Sequence, residues 1–498
     1  MGISSCRTCG KLLSAGVLSL AASLAFGAPT ESRPARTLGY QFDISRCKVP
    51  TMAALRERID LLSKLGYGQI QLYTEHTFAY RDHETVWRDA SPMTADEIRE
   101  LDAFCAERGV ELVPNQNSFG HMEHWLRHPG YNDLAEVPHG GTVVKMWGDS
   151  VMVCPTTLCP TDPRSLRLVA SLYDELLPCF RSKFVNVGCD ETMELLYWTP
   201  EGNRSAAVLA EKGPAAVYVD FLRQIHAEVA RRGHVMMFWG DIILHDPSAL
   251  KDLPKDGIVA MNWGYEANHP FEREAAQLEK AGVAFYECPG TSAWGSLFGR
   301  VSNMMVNVTN AFASAERHGA AGVLLADWGD HGNPQPWLVS LPAIVFAANR
   351  AKGRILTREE LAAEIDAVAG GKVGAALLAI GDVYRICGGR MGNSTEMFYV
   401  LKDGSDYSPA KGASKESVDA ALAAYAKARA SADLTGSRQF VKDGFAMLDL
   451  LAEAVELRVR NPKMPNFRAV FEPRYRELWL RQNRVGGLAS SLTQVFGR

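Results

Sequence analysis

Past residue 26 the chain has no apolar run long enough to cross a membrane, which takes about 18 or more residues. It has no excess of charge of either sign. The 53 Lys and Arg stand against 57 Asp and Glu, a net charge of −4, so the overall field makes no electrostatic case for a nucleic-acid or anionic-lipid partner. No Cys-x-x-Cys spacing occurs after the apolar amino terminus, a poor pattern for a zinc site. No G-x-G-x-x-G follows the first strand candidate, which weakens a doubly wound open sheet as the competing architecture. There is neither a repeat of fixed period nor a low-complexity linker. What is present is an ordinary globular composition of 47% hydrophobic, 22% charged and 9% aromatic residues. At 498 residues the chain has room for about two or three domains, or for one large barrel with a satellite.

At the amino terminus, Arg7 and Lys11 precede an apolar stretch from Leu12 to Phe26, and Ala25, Gly27 and Ala28 supply small residues for a peptidase. This pattern predicts a signal peptide over residues 1–28 and an exported protein, periplasmic or secreted, with an uncleaved anchor as the alternative. Cys6 and Cys9 fall within that segment. Cys47, Cys105, Cys154, Cys159, Cys179, Cys189, Cys288 and Cys387 remain, scattered singly through apolar text. Export permits disulfides and Cys154 with Cys159 is the only close pair, but buried thiols are the expectation for most of them.

From about Leu38 to Arg350, short apolar runs alternate with amphipathic stretches, the rhythm of repeated βα units. Eight strands are predicted, at Gly39 to Ile44, Gln69 to Tyr73, Val110 to Pro114, Phe184 to Gly188, Val235 to Trp239, Gly257 to Asn262, Val283 to Glu287 and Gly322 to Ala326. Between the first two, Met52 to Leu62 has helical periodicity and Gly66 stands where a carboxy-terminal cap belongs. Asp96 to Cys105 repeats the pattern before Gly109. Eight such units predict an α/β fold, a (β/α)8 TIM barrel over residues 38–350. After Thr357 the text becomes Ala-rich and helical, including Val418 to Ala432 and Phe440 to Arg458, which predicts a helical carboxy-terminal domain over 357–498.

A barrel of this kind builds its site at the carboxy ends of its strands. Here those ends deliver Asp43 and Arg46, then Glu75 and His76, then Asn115, Asn117 and His121, then Asp190 and Glu191. The later strands deliver Trp239-Gly240-Asp241, Asn262-Trp263, Tyr286 and Glu287 running into Trp294, and Asp327-Trp328-Gly329-Asp330. Aromatic walls with carboxylates and an arginine suit a pyranose, whose C–H faces stack on rings while its hydroxyls need charged partners. Each tryptophan taken alone reads equally well as barrel-to-helix packing.

The stretch Phe184-Val185-Asn186-Val187-Gly188-Cys189-Asp190-Glu191-Thr192 resembles the strand-four motif of glycoside hydrolase family 20, the β-N-acetylhexosaminidases. Pro114-Asn115-Gln116-Asn117-Ser118-Phe119-Gly120-His121 is similar to that family's Pro-Glu-x-Asp-x-Pro-Gly-His segment, Asp43-x-x-Arg46 to its first-strand motif, and Trp328-Gly329-Asp330 to its last-strand Trp-x-Glu. The chain departs from the family's pattern at Asn186, where His is usual, at Asn115 and Asn117, where Glu and Asp are usual, and at Asp330, where Glu is usual. Many family members carry an α/β domain ahead of the barrel, and the resemblance here is to a short form without it.

The resemblance implies a retaining, exo-acting glycosidase that removes terminal N-acetylhexosamine from glycans without a cofactor. Neighbouring residues do not easily straddle an anomeric carbon as an acid and nucleophile pair, whose carboxyls lie about 5 to 5.5 Å apart in retaining enzymes. The resemblance accordingly implies that Glu191 is the acid and base and that Asp190 grips the substrate's acetamide, whose oxygen is the nucleophile. It places Trp239, Trp263 and Trp328 as walls, Arg46 and Asp330 on sugar hydroxyls, Tyr286 on the acetamide oxygen, and His121, Asp241 and Trp294 among the substrate-binding residues. Two other readings remain open. His121, Glu123 and His124 with Asp190, Glu191 and Asp241 could form a divalent site of a metal-dependent sugar-processing barrel. A non-catalytic carbohydrate-binding barrel is the third.

Overall fold

Eight short strands, each flanked by a helix that covers its outer face, close into one parallel barrel. In the computed structural model the described residues are 37–139, 143–146, 150–153, 155–388, 392–403 and 413–497. The expected signal segment and Cys154 lie outside them. The strands are β1 (Thr37–Asp43), β2 (Gln69–Thr74), β3 (Glu111–Gln116), β4 (Phe184–Asn186), β5 (Val235–Trp239), β6 (Ile258–Trp263), β7 (Phe285–Cys288) and β8 (Gly322–Asp327). Neighbours pair in parallel around the ring and β8 closes on β1, with Tyr40 opposite both Ile70 and Leu325. All eight predicted strands are present, and they are legible for a physical reason. Parallel strands are covered on both faces, so several read as apolar runs without polar alternation, as β5 does with Val-Met-Met-Phe-Trp, while β2 is buried at every position although Gln69 and Gln71 alternate with Ile70 and Leu72.

The connecting helices stop where the sequence says they should. Met52–Leu65 begins at Thr51, whose side chain accepts from the Ala54 amide, and ends at Gly66 with φ +104°. A cap of the first kind is worth about 1 kcal/mol. Ala95–Ala106 opens with a reciprocal capping box between Thr94 and Glu97. A short antiparallel pair, Val143–Met146 with Val153 to Ser150, interrupts the connection between β3 and β4.

Two separate apolar clusters follow from the two-residue period of the strands. Residues facing outward pack against the helices in the larger one. Residues facing inward, among them Met237, Trp239, Met261, Tyr286, Leu324, Ala326 and Trp328, fill the barrel. Because these alternate along each strand, their order along the chain is also their depth, and Trp239 and Trp328 stand at the carboxy-terminal rim.

Beyond the barrel come helices only, among the described residues, including Arg358–Ala369, Lys415–Ala430, Gln439–Arg460, Phe467–Leu480 and Leu488–Phe496. They share one compact unit with the barrel. The turn that leads into the last of them returns to the loops of the barrel. Arg484 Nη2 lies 2.7 Å from Glu97 Oε1, Asn483 bridges Pro50, and a Cβ on Gly487, which has φ +76°, would stand 1.9 Å from the Cys47 carbonyl oxygen. Seven cysteines among the described residues are free thiols, all but Cys47 buried. None of the described helices is long and apolar enough to cross a membrane.

Candidate active site

The turn after β4 carries its two carboxylates on a constrained backbone. Gly188 has φ +68°, Cys189 φ +70° and Glu191 φ +50°, the left-handed region that non-glycine residues enter at a cost. The surroundings hold it there. The Tyr218 hydroxyl donates to the Cys189 carbonyl at 2.9 Å, and the Glu191 amide donates to Asp241 Oδ2 at 3.0 Å. A Cβ on Gly120 would fall 2.1 Å from the Asp190 carbonyl oxygen, so the β3 loop approaches the carboxylate turn as closely as only glycine permits.

His121 links the two acids. Its Nε2 lies 3.2 Å from Asp190 Oδ2 and 3.3 Å from Glu191 Oε2. Burial disfavours the imidazolium, but the Asp190 charge and the close approach of both carboxylates outweigh it and raise the pKa of His121 well above its usual range. Asp190 is buried and lines the chamber, and its Oδ1 accepts no hydrogen bond. That oxygen is a buried acceptor without a donor.

Arg46 gathers charge on the other flank. Its guanidinium lies 3.0 Å from Asp330, 3.4 Å from Glu75 and 3.8 Å from Asp43. It also lies 4.6 Å over the Trp328 ring and 5.0 Å over Tyr73, contacts that a cation gains from the ring quadrupole.

Between these flanks stand the rings. Trp239 and Trp328 are 5.7 Å apart by their centroids, Trp263 stacks on Tyr265 at 5.2 Å, and Trp294 meets Tyr265 edge-on at 4.8 Å. One chamber is thus lined by Arg46, His121, Asp190, Glu191 and Asp330 together with Trp239, Trp263, Trp294 and Trp328. Two expected residues lie elsewhere. Tyr286 points inward at the start of β7, at the amino-terminal floor of the barrel, with its hydroxyl bonded at Thr37 and Gln69 near the amino ends of β1 and β2. Asp241 is behind the wall, taking the Glu191 amide and the Trp263 Nε1–H, the latter at 3.4 Å. Burial and the neighbouring Asp190 charge push Asp241 up to about 8.

Tyr265, and not Tyr286, lines the chamber. It follows Trp263 by two residues, so the inward alternation of β6 continues past the strand end. Its hydroxyl accepts from Trp328 Nε1 at 2.8 Å, which leaves its own proton to give. Burial raises its pKa well above the usual value, so it stays a donor. Asn393, from the helical region, also lines the chamber, with Oδ1 buried and unpartnered.

The chamber shares Arg46, His121, Glu191 and Asp330 with an adjoining cavity of about 680 Å³. Its far wall includes Val485, Gly487, Ala489, Ser490 and Gln494 of the returning chain end. Of the residues in the divalent-site reading, His121 and Glu123 lie near Glu75, as does His124, whereas Asp241 sits with Trp263 on the opposite side of Glu191.

Comparison with known proteins agrees with this geometry. Residues 71–294 match the family model described as glycosyl hydrolase family 20, catalytic domain. The chain is 24% identical over 245 residues to hexosaminidase D of Bos taurus, an alignment covering 46% of this chain and 64% of that protein. It is 27% identical over 245 residues to hexosaminidase D of Homo sapiens, covering 46% and 45%. The chain thus spans less than two thirds of either relative. Among solved structures it resembles the Flavobacterium johnsoniae chitobiase, with a TM-score of 0.55 at 15% identity over 93% of this chain and 78% of that one. It also resembles a β-N-acetylhexosaminidase of Bacteroides fragilis, with a TM-score of 0.51 at 16% identity over 67% and 69%.

Proposed function

We propose that this chain, which carries a glycosyl hydrolase family 20 catalytic domain over residues 71–294, removes terminal β-linked N-acetylhexosamine from glycans with retention of configuration. The observation that carries the reading is Asp190 Oδ1, a buried acceptor without a donor on the wall of an aromatic chamber. An acetamide N–H supplies that donor. With the amide so held, its carbonyl oxygen is set against the anomeric carbon, and Tyr265 donates to the same oxygen. Glu191 protonates the glycosidic oxygen as the C1–O bond breaks and the acetamide oxygen bonds to C1. Glu191 then takes a proton from the water that opens the bicyclic intermediate, returning the acetamide and the β-anomer. His121, in contact with both carboxylates, keeps their spacing fixed through the two steps. Arg46 and Asp330 bind hydroxyls of the terminal sugar, and the tryptophans cover its apolar face.

An aligned intramolecular nucleophile is worth up to about 7 to 11 kcal/mol of barrier. Aryl β-glycosides differing only at C2 and C4 therefore test the reading. We expect the 2-acetamido substrates to turn over at least about 10⁴-fold faster than the 2-hydroxy ones, about 5.5 kcal/mol and so below that ceiling. Equal rates would contradict it.

Export belongs to the same proposal and rests on the pattern of residues 1–28. Native protein is expected to begin near Ala28 or Pro29, and amino-terminal sequencing that found Met1 or Gly2 would contradict it.

A further inference from the structure

Among the described residues, the helical region reaches the sugar chamber at Asn393. Every other residue lining the chamber comes from a strand end or from the loop that follows it. Asn393 has φ +55°, left-handed backbone that asparagine enters more readily than most residues and that persists where the surroundings hold it. They hold it firmly. The Asn393 amide donates to Glu266 Oε1 at 2.8 Å, Ser394 Oγ donates to the Gly295 carbonyl at 2.8 Å, and the Thr395 amide donates to the same oxygen at 3.0 Å. A Cβ on Gly295, which has φ +58°, would run into the Asn393 carbonyl oxygen. Glu266 follows Tyr265 and Gly295 follows Trp294, so the segment is fastened to the two loops that carry those rings of the chamber wall.

Glu266 is fixed in turn. Arg300, which is 4% exposed, donates from Nη1 to Glu266 Oε2 at 3.0 Å, and its Nη2 lies 2.9 Å from Oε1. A two-point contact between arginine and a carboxylate sets the orientation of the carboxylate as well as its place. It thereby sets the oxygen that takes the Asn393 amide.

What this assembly brings to the chamber is a carboxamide whose Oδ1 is buried without a hydrogen-bond partner. Such an acceptor carries the full cost of its desolvation. A sugar hydroxyl supplies the missing partner, and because a half-turn about χ2 exchanges Oδ1 and Nδ2, the carboxamide can accept from that hydroxyl or donate to it. We propose that Asn393 binds a hydroxyl of the terminal sugar, with Glu266 and Arg300 as the pair that positions it. This rests on the glycosidase reading and adds to it a group from outside the barrel.

The test uses the full chain and aryl N-acetyl-β-glucosaminides that lack, in turn, the hydroxyl at C3, C4 or C6. Asn393→Gly removes the carboxamide, keeps the amide that Glu266 accepts from, and suits left-handed backbone better than Ala would. We expect it to lower kcat/KM about three- to tenfold on the complete sugar, the worth of one neutral hydrogen bond. On one deoxy substrate that loss should vanish, because the variant has no carboxamide to leave unpaired, and on the other two it should persist. Glu266→Ala should depend on the same hydroxyl, and Glu266→Gln, which keeps an oxygen for the Asn393 amide, should recover part of the loss. Thermal melts establish that the variants are folded. If Glu266→Ala does not fold, Asn393→Gly and Glu266→Gln decide the matter. Binding of free N-acetylglucosamine and its deoxy forms, followed by tryptophan fluorescence, gives the same comparison without turnover. Equal losses on every substrate in folded Asn393→Gly, or no loss at all, would overturn the inference and leave the glycosidase reading intact. Equal losses on every substrate in Glu266→Ala would overturn its positioning role. Wild-type protein that neither hydrolyses the complete substrate nor binds the free sugar would contradict both the inference and the reading beneath it.

Discussion

Glu191→Gln is expected to lose about 10² to 10⁴ of its turnover on a substrate whose leaving group needs protonation, the usual worth of a general acid. That loss should shrink on aryl glycosides with very acidic leaving groups while glycosylation is rate-limiting. Asp190→Asn should fail differently. The fault lies in orienting the acetamide and stabilising the charge that develops on it, so a better leaving group should rescue it less. The structure supports separate roles for adjacent residues. The Glu191 backbone is pinned by Asp241 through its amide, whereas Asp190 lines the chamber with one carboxylate oxygen that has no donor. Steady-state and burst kinetics across a series of aryl N-acetyl-β-glucosaminides compare the two slopes. Parallel slopes, or full activity in Asp190→Asn, would mean that the roles are wrongly divided.

The second large effect is expected at Arg46. Its guanidinium is the cation that faces Asp330, Glu75 and Asp43 together, and the Glu75 and Asp43 side chains are each 1% exposed. Removing one partner from a buried ion pair costs about 3 to 5 kcal/mol, because the other charge stays behind unpaired. Arg46→Ala should therefore lose stability on that scale in denaturant unfolding, and kcat/KM with it. Arg46→Lys keeps the charge but not the planar fork, and should fall between the two. An Arg46→Ala protein with wild-type stability and kcat/KM would remove Arg46 from both roles.

Most of this architecture is legible in the sequence because parallel strands covered on both faces leave short apolar runs, and because glycine ends several of the helices between them. The turn that carries Asp190 and Glu191 is legible for a related reason. Gly188 and Gly120 are required by left-handed backbone and close approach, so their spacing marks the site before any side chain is placed. Tyr286 and Tyr265 show the limit. Both are inward-facing tyrosines near strand ends, and only the relative depth of β6 and β7 in the barrel sends one to the floor and the other to the rim. Asp241 follows a tryptophan at the end of a strand as a binding residue would, yet it begins a short helix that turns its carboxylate behind Glu191. The cavity wall built by Val485 to Gln494, and the approach of Asn393 to the chamber, depend on contacts across much of the chain. No local pattern carries that information. The same holds for Glu75 and His124, unremarkable apart and 3.7 Å from each other in the fold.

The most direct measurement is the rate of hydrolysis of one aryl 2-acylamido-β-glucoside as its N-acetyl group is replaced by mono-, di- and trifluoroacetyl, with leaving group and ring unchanged. Each fluorine draws electron density from the carbonyl oxygen and weakens it as a nucleophile. If that oxygen attacks the anomeric carbon while Asp190 holds the amide, kcat/KM should fall steeply and stepwise along the series. A flat series would show that the acyl group takes no part in the displacement, and would contradict the account.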